Sequence, residues 1–269
     1  MSDFTAPSPE STVVAALRAA GCVFAEDEAR LLIAAAGTPE ELTAMVARRA
    51  DGLPLEHVLG WAEFDGQRFA VDPGVFVPRR RTEFLVQVAT GLAAPGAVVL
   101  DLCCGSGAVG VALATALGGG VELHAADLDP AAVRCARRNV ARVGGRVYEG
   151  DLFAPLPADL RGRVGLLAAN VPYVPSEEVG LLPPEARDHE ALMALDGGAD
   201  GLDVMRRVAA RATDWLAPGG SLLVESSERQ ARRAAGLFTA AGLRAHVTDS
   251  DELYATVVVG TRPPLGAGG

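Results

Sequence analysis

An α/β fold with a mostly parallel seven-stranded sheet, carried behind a small helical unit, is what this sequence predicts, and three observations predict it. From residue 97 onward, apolar runs of strand length alternate with helical patterns, the arrangement of a parallel sheet covered by helices on both faces. The first run enters the glycine-rich "CCGSGAVG" and then a helix, which is where sheets of this kind bind ligands. The last two runs are joined by the acidic "DSDEL" alone, which leaves no room for a crossover helix and predicts an antiparallel pair.

The elements follow in order. Val13, Val14 and Leu17, then Leu31 and Leu32, then Leu42, Met45 and Val46 recur at helical spacing, broken at Gly21 and from Gly37 to Pro39. Residues 1–60 are therefore expected to be a helical unit. In "WAEFDGQRFAV" aromatic residues flank Asp65-Gly66, a strong hairpin signal, so residues 61–77 read as a β-hairpin linker. Residues 78–260 hold the α/β domain. Its strands are "AVVLDL", "VELHAA", "RVYEG", "VGLLAAN", "SLLVES", "LRAHVT" and "YATVVVG", with helices expected at 107–117, 130–142, 202–216 and 228–240. Asp129 and Pro130 suit the cap and first position of the second helix. Residues 176–200 form a long proline-broken insertion, which reads as a lid. The tail "TRPPLGAGG", residues 261–269, is expected to be disordered.

Composition bounds the function. An apolar fraction of 49% with 22% charged residues excludes disorder of the whole chain. Net charge is −10, and every base is arginine, with no lysine. Such a chain is a poor general binder of nucleic acid, and no direct nucleic-acid partner is expected. Cys22, Cys103, Cys104 and Cys135 show no metal-ligand spacing, so no metal is expected and a reducing cytoplasm is the simplest setting. The N-terminus has no basic start followed by an apolar run. Residues 102–121 carry no charge, but six of these twenty are glycine, which reads as a loop feeding a buried helix and not as a membrane span.

Gly105, Gly107 and Gly110 stand in GxGxxG spacing directly after a strand, where a ligand can rest on free backbone N–H groups. Asp127 ends the next strand, twenty residues beyond Gly107, in place to accept from ribose hydroxyls. Taken alone, these residues fit a nicotinamide dinucleotide as well as S-adenosylmethionine. Asp101 favours the second: a carboxylate there repels a pyrophosphate and welcomes the cationic amino group of a methionine moiety. Asp151, ending the third strand, can take an adenine amino group, with Leu152 and Phe153 as an apolar wall.

"LLAANVPY" then ends a buried strand on Asn170, Val171, Pro172 and Tyr173. Pro172 lacks an N–H and keeps Val171 out of the helical region, so the Val171 carbonyl can face the ligand crevice. An asparagine side-chain oxygen and that carbonyl together can hold both hydrogens of one planar NH2 group, turning its lone pair toward a methyl donor while Tyr173 excludes water.

With these residues assembled, the sequence resembles the protein-(glutamine-N5) methyltransferases that modify peptide-chain release factors, the HemK or PrmC type, as a related sibling branch. The resemblance runs through "LPLEHVLG", "FVPRRRTEFLV", the glycine loop, "AADLDPAAVRCARRN", "GDLF", "NVPY", "LDGGADGLDVMRRVAARATDWLAPGGSLLVES" and Gln230. It implies a class I S-adenosylmethionine-dependent methyltransferase core, Rossmann-like, whose N-terminal helical unit recognises the protein substrate. It places Asp101, Cys103, Cys104, Gly105, Ser106, Gly107, Asp127, Leu128, Asp151, Leu152 and Asn170 around the cofactor, and Asn170, Val171, Pro172 and Tyr173 around the target glutamine amide. Val171 stands where the family carries a first proline, and Cys103 where glycine is common. The rivals are an amino-group methyltransferase acting on adenine in DNA or RNA or on a small amide, a nicotinamide oxidoreductase, for which a Tyr-x-x-x-Lys is impossible without lysine, and a cofactor-binding protein without activity.

Overall fold

The computed structural model describes residues 8–264. Helices α1 (Pro9–Ala19), α2 (Ala25–Ala35), α3 (Pro39–Ala50) and α4 (Leu55–Leu59) occupy the start of the chain. Ser8 and Thr38 cap α1 and α3 by accepting from Ser11 N and Glu41 N, each followed by proline, the pairing that starts a helix. The apolar stripes meet in a core of their own around Leu17, Leu32, Met45 and Val58. Arg49, 7% exposed, forks onto Glu28 of α2 at 2.6 and 3.1 Å and reaches Glu185 at 2.7 Å.

Strands β1 (Trp61–Phe64) and β2 (Gln67–Ala70) form the hairpin. Both turn residues have positive φ, 48° at Asp65 and 67° at Gly66, as a type I′ turn requires. Pairing stops at Ala70, short of the expected residue 77, because the chain leaves the ladder at Asp72 and Pro73, and proline cannot donate to one.

The main sheet has the order β5-β4-β3-β6-β7-β9-β8. Five strands are parallel: β3 (Val98–Leu102), β4 (Glu122–Asp127), β5 (Arg146–Glu149), β6 (Val164–Ala169) and β7 (Leu216–Ser226). The last two, β8 (Arg244–Ser250) and β9 (Ala255–Thr261), pair antiparallel as expected, with β9 seated between β7 and β8. Helices α5 (Glu83–Thr90), α6 (Ala108–Ala116), α7 (Pro130–Val140), α8 (Pro184–His189), α9 (Asp203–Trp215) and α10 (Glu228–Ala240) complete the fold.

Two buried clusters lie on the two faces of the sheet, one around Leu100, Leu167 and Trp215 and the other around Val99, Leu166 and Leu223. The uncharged run 102–121 becomes the end of β3, the glycine loop and α6. Among the described residues no helix is long and apolar enough to cross a membrane. The segment expected to be disordered from residue 261 is ordered at its start: Thr261 closes β9, and Arg262 exchanges backbone hydrogen bonds with Gly219 and Gly220. Residues 265–269 of that expected tail lie outside the described residues.

Removing one member of a buried ion pair strands the other charge, at a cost of about 3–5 kcal/mol. Arg49→Ala is expected to destabilise by about that amount in urea denaturation, and Arg49→Ala with Glu28→Ala to recover part of the loss.

Candidate active site

The parallel register places Ala126, Leu102, Ala169 and Val224 in one row across β4, β3, β6 and β7. One residue further on, Asp127 and Glu225 are still in their strands while Cys103 and Asn170 are the first residues past theirs, so the four follow this row at the carboxyl edge. A cavity of about 1230 Å³ opens over that edge. Of the residues that the resemblance places around the cofactor and the target amide, all line it except Gly107. Gly107 instead turns the chain into α6 at φ 78°, where a Cβ would meet Val140 Cγ2 at 2.8 Å.

Asp101 is 1% exposed and accepts one hydrogen bond, from Gly110 N at 2.8 Å. Burial raises its pKa to about 7, against the Gly110 N–H, and the Asp127 carboxylate adds to the rise. Asp127 accepts from Gly105 N at 2.8 Å and Asp129 N at 2.9 Å; burial raises it despite these two N–H groups. Burial, reinforced by both carboxylates, also pushes the Cys103 and Cys104 thiols up, so they stay protonated and are weak nucleophiles and metal ligands. Among the described residues no cluster of His, Cys, Asp and Glu could hold a metal ion.

On the adenine side Asp151 lines the cavity, where its exposed carboxylate pairs with Arg207 of α9 at 2.5 Å. One expectation there needs correction. Phe153 does not line the cavity: it turns inward and stacks on Trp215, ring centroids 5.4 Å apart, because the apolar core there offers a large ring more burial than the cavity edge does. Leu152 remains at the cavity.

Among the described residues no internal hydrogen bond engages the Asn170 carboxamide, which is half-buried at the cavity wall. Val171, 1% exposed, packs into the core below, so side-chain burial holds the loop where a first proline would stiffen it. Behind the loop runs the segment 195–201: Val174 N donates to Leu195 O and Gly197 N to Val174 O. Gln230 Nε2 donates to the Tyr173 and Asp200 carbonyls, both at 3.0 Å. Tyr173 OH donates to Glu225 at 3.0 Å and accepts from Arg81. Burial, with the Glu225 carboxylate next, raises the Tyr173 hydroxyl well above its usual range.

The methyltransferase small domain family model matches residues 66–174. The chain is 42% identical over 229 residues to the release factor glutamine methyltransferase of Geobacter sulfurreducens, covering 83% of this chain and 79% of that protein. The chain belongs to the release factor glutamine methyltransferase family. It is also 37% identical over 214 residues to a 4-amino-L-phenylalanine/4-methylamino-L-phenylalanine methyltransferase of Streptomyces pristinaespiralis, 76% of this chain and 71% of that protein. Among solved structures, a methyltransferase from Pyrococcus furiosus shares the fold, with a TM-score of 0.56 at 14% identity over 82% of this chain and 98% of that one.

The cofactor of this family is S-adenosylmethionine, and the site fits it: a buried carboxylate, Asp101, faces the cavity with no basic partner in contact, and the methionine moiety brings an ammonium. Reading the residues alone left three contributors without a role. Asn139 sits on the buried face of α7 and bridges Ala70 to the Ser106 carbonyl at 2.8–2.9 Å, holding the glycine loop to the hairpin; an amide on an apolar helical face was the available signal. Gln230 braces Tyr173, and Glu225 gathers Arg81, Thr82 and Tyr173. The insertion read as a lid supplies a cavity wall through Leu182, Glu185 and Glu190, tied by Arg79 to Glu190 and by Arg229 to Glu178.

Gly201 has φ 74°, and a Cβ there would land on Gln230 Nε2 and the Tyr173 carbonyl oxygen. Gly201→Ala is expected to lower turnover by about tenfold or more while costing about 1–3 kcal/mol of stability, read from initial rates and urea denaturation of one preparation.

Proposed function

We propose that this enzyme transfers a methyl group from S-adenosylmethionine to the side-chain amide nitrogen of a glutamine in a peptide chain release factor. The observation that carries the reading is the free Asn170 carboxamide beside the Val171 backbone in the same cavity as the glycine loop and Asp101. The relative from Geobacter sulfurreducens supports the acceptor, and a release factor as acceptor implies a cytoplasmic location. Net charge of −10 disfavours an RNA or DNA acceptor.

The cofactor supplies an electrophilic methyl on a sulfonium. The chain's residues bind and orient. Asp101 holds the ammonium, Asp127 the ribose hydroxyls, and Leu128, Leu152 and Asp151 border the base. Cys103, Cys104, Gly105, Ser106 and Gly107 give the loop its shape. Asn170 Oδ1 and the Val171 carbonyl accept the two N–H hydrogens of the target amide, so that its nitrogen lone pair points along one line. Pro172 keeps the Val171 carbonyl turned inward, and Tyr173 closes the side wall against water. A weakly basic amide needs no strong base here, since its proton leaves after the methyl has arrived; fixed dipoles supply the stabilisation.

A second acceptor class, a primary arylamine, is supported by the relative from Streptomyces pristinaespiralis: it presents the same planar NH2 group. Methyl transfer to a release factor, to its glutamine-to-alanine variant and to 4-amino-L-phenylalanine distinguishes the two. Label on the first alone is expected; label on the amine alone overturns the proposal.

Loss of one fixed acceptor dipole costs roughly 3 kcal/mol of barrier, so Asn170→Ala is expected to lower kcat about a hundredfold with a much smaller change in cofactor affinity by calorimetry.

Asp101 gives a pH dependence. Its pKa of about 7 in the folded protein lies above its ordinary 3.8. Without cofactor, its favourable contribution to folding is complete below about 4 and lost as pH rises toward 7, because the unfolded chain ionises first. An ammonium partner reverses the preference, so cofactor affinity is expected to weaken as pH falls below 7, by at most about tenfold per unit. Asp101→Asn removes this dependence in calorimetric titrations.

A further inference from the structure

Resting on the acceptor reading above, we propose that Glu225 is a positioning residue that holds Tyr173 and Arg81 as one fixed wall of the acceptor site. Its side chain is 3% exposed. One carboxylate oxygen accepts from Arg81 Nε at 2.8 Å and from Tyr173 OH at 3.0 Å; the other accepts from Thr82 Oγ1 at 2.6 Å. The Arg81 guanidinium also donates to the Tyr173 hydroxyl, closing a triangle of three side chains drawn from three distant parts of the chain.

The geometry constrains motion. Thr82 on the second oxygen stops the carboxylate from turning about its own bond. The Tyr173 ring is then fixed at its hydroxyl by Glu225 and Arg81, and at its backbone by Gln230 on its carbonyl. No rotamer change is possible without breaking hydrogen bonds in a buried setting, where unmade bonds are expensive.

Position in the row assigns this wall to the acceptor. Glu225 stands on β7, beside Asn170 just past the end of β6, while Asp127 is three strands away on β4, about 14 Å at the usual strand spacing. Charge agrees with the acceptor's chemistry. Glu225 cancels the Arg81 cation, whose side chain remains 47% exposed at the cavity, so the wall offers N–H groups without net charge and suits a neutral carboxamide.

The test is a set of variants assayed on an intact bacterial release factor, with S-adenosylhomocysteine affinity measured by calorimetry. Glu225→Gln keeps the shape, removes the charge and places an NH2 against Arg81 or Thr82. It is expected to lower kcat/KM for the release factor by about thirtyfold or more, with S-adenosylhomocysteine affinity within about twofold of the unaltered enzyme. Tyr173→Phe is expected to cost about tenfold, and adding it to Glu225→Gln to cost less than about twofold more, because both remove the same constraint. Independent, multiplying effects in the double variant would overturn the proposal, as would a loss of S-adenosylhomocysteine affinity equal to the loss of kcat/KM. Where Glu225→Gln does not fold, Thr82→Val paired with Tyr173→Phe decides by the same comparison: shared losses support the proposal and multiplying losses overturn it. If the unaltered enzyme transfers no methyl to the release factor, the acceptor reading fails and this inference fails with it; activity of the unaltered enzyme with additive variants sinks the inference alone.

Discussion

The register that lines up Ala126, Leu102, Ala169 and Val224 across β4, β3, β6 and β7 is the constraint on which the rest depends. Leu102, Ala126, Ala169 and Val224 point into one buried cluster, while Ala125, Ala168 and Leu223, one residue earlier, point into the other. With both faces of the sheet buried, a slip of one residue in any strand would exchange its two sets of side chains. Apolar burial on both sides thus sets the register of each strand, and with it the line of Asp127, Cys103, Asn170 and Glu225. Chemistry at the edge inherits its precision from packing beneath it.

The loops above the edge are held by other means. Buried or half-buried arginine–carboxylate pairs join segments far apart in sequence: Arg49 with Glu185, Arg79 with Glu190, Arg81 with Glu225. The exposed pairs, such as Arg229 with Glu178, carry little energy of their own. The buried carboxylates matter more, because each would be costly without its guanidinium. These ties bring the helical unit, the segment before α5 and the 176–195 segment to one cavity.

Much of this was legible in the sequence, and what was legible is local. Strand runs, the Asp65-Gly66 turn, the Asp129-Pro130 helix start and the antiparallel last pair each depend on a handful of neighbouring residues. Asn170 was legible because a buried strand followed by an amide and Pro172 is an unusual local pattern. Glu225, Gln230 and Asn139 were not assigned roles from spacing because their partners lie on other elements: Glu225 meets Arg81 and Thr82 across the whole α/β domain, and Asn139 meets Ala70 from α7. Phe153 was misplaced for the same reason, since adjacency to Leu152 says nothing about Trp215. The pairing of Asp151 with Arg207 depends on how α9 lies against the sheet, which no local pattern reports.

The absence of lysine has a consequence beyond charge. An alkylating cofactor endangers any nucleophile stored nearby in its basic form. Arginine, the only strongly basic side chain here, keeps its proton under all ordinary conditions; among the described residues no histidine lines the cavity, and burial pushes the two thiols at the loop and the phenol opposite toward their protonated forms. The cavity wall is thereby passivated: it carries no lysine amine, and its thiols and its phenol keep their protons, so the strongest nucleophiles a protein can offer are absent from it.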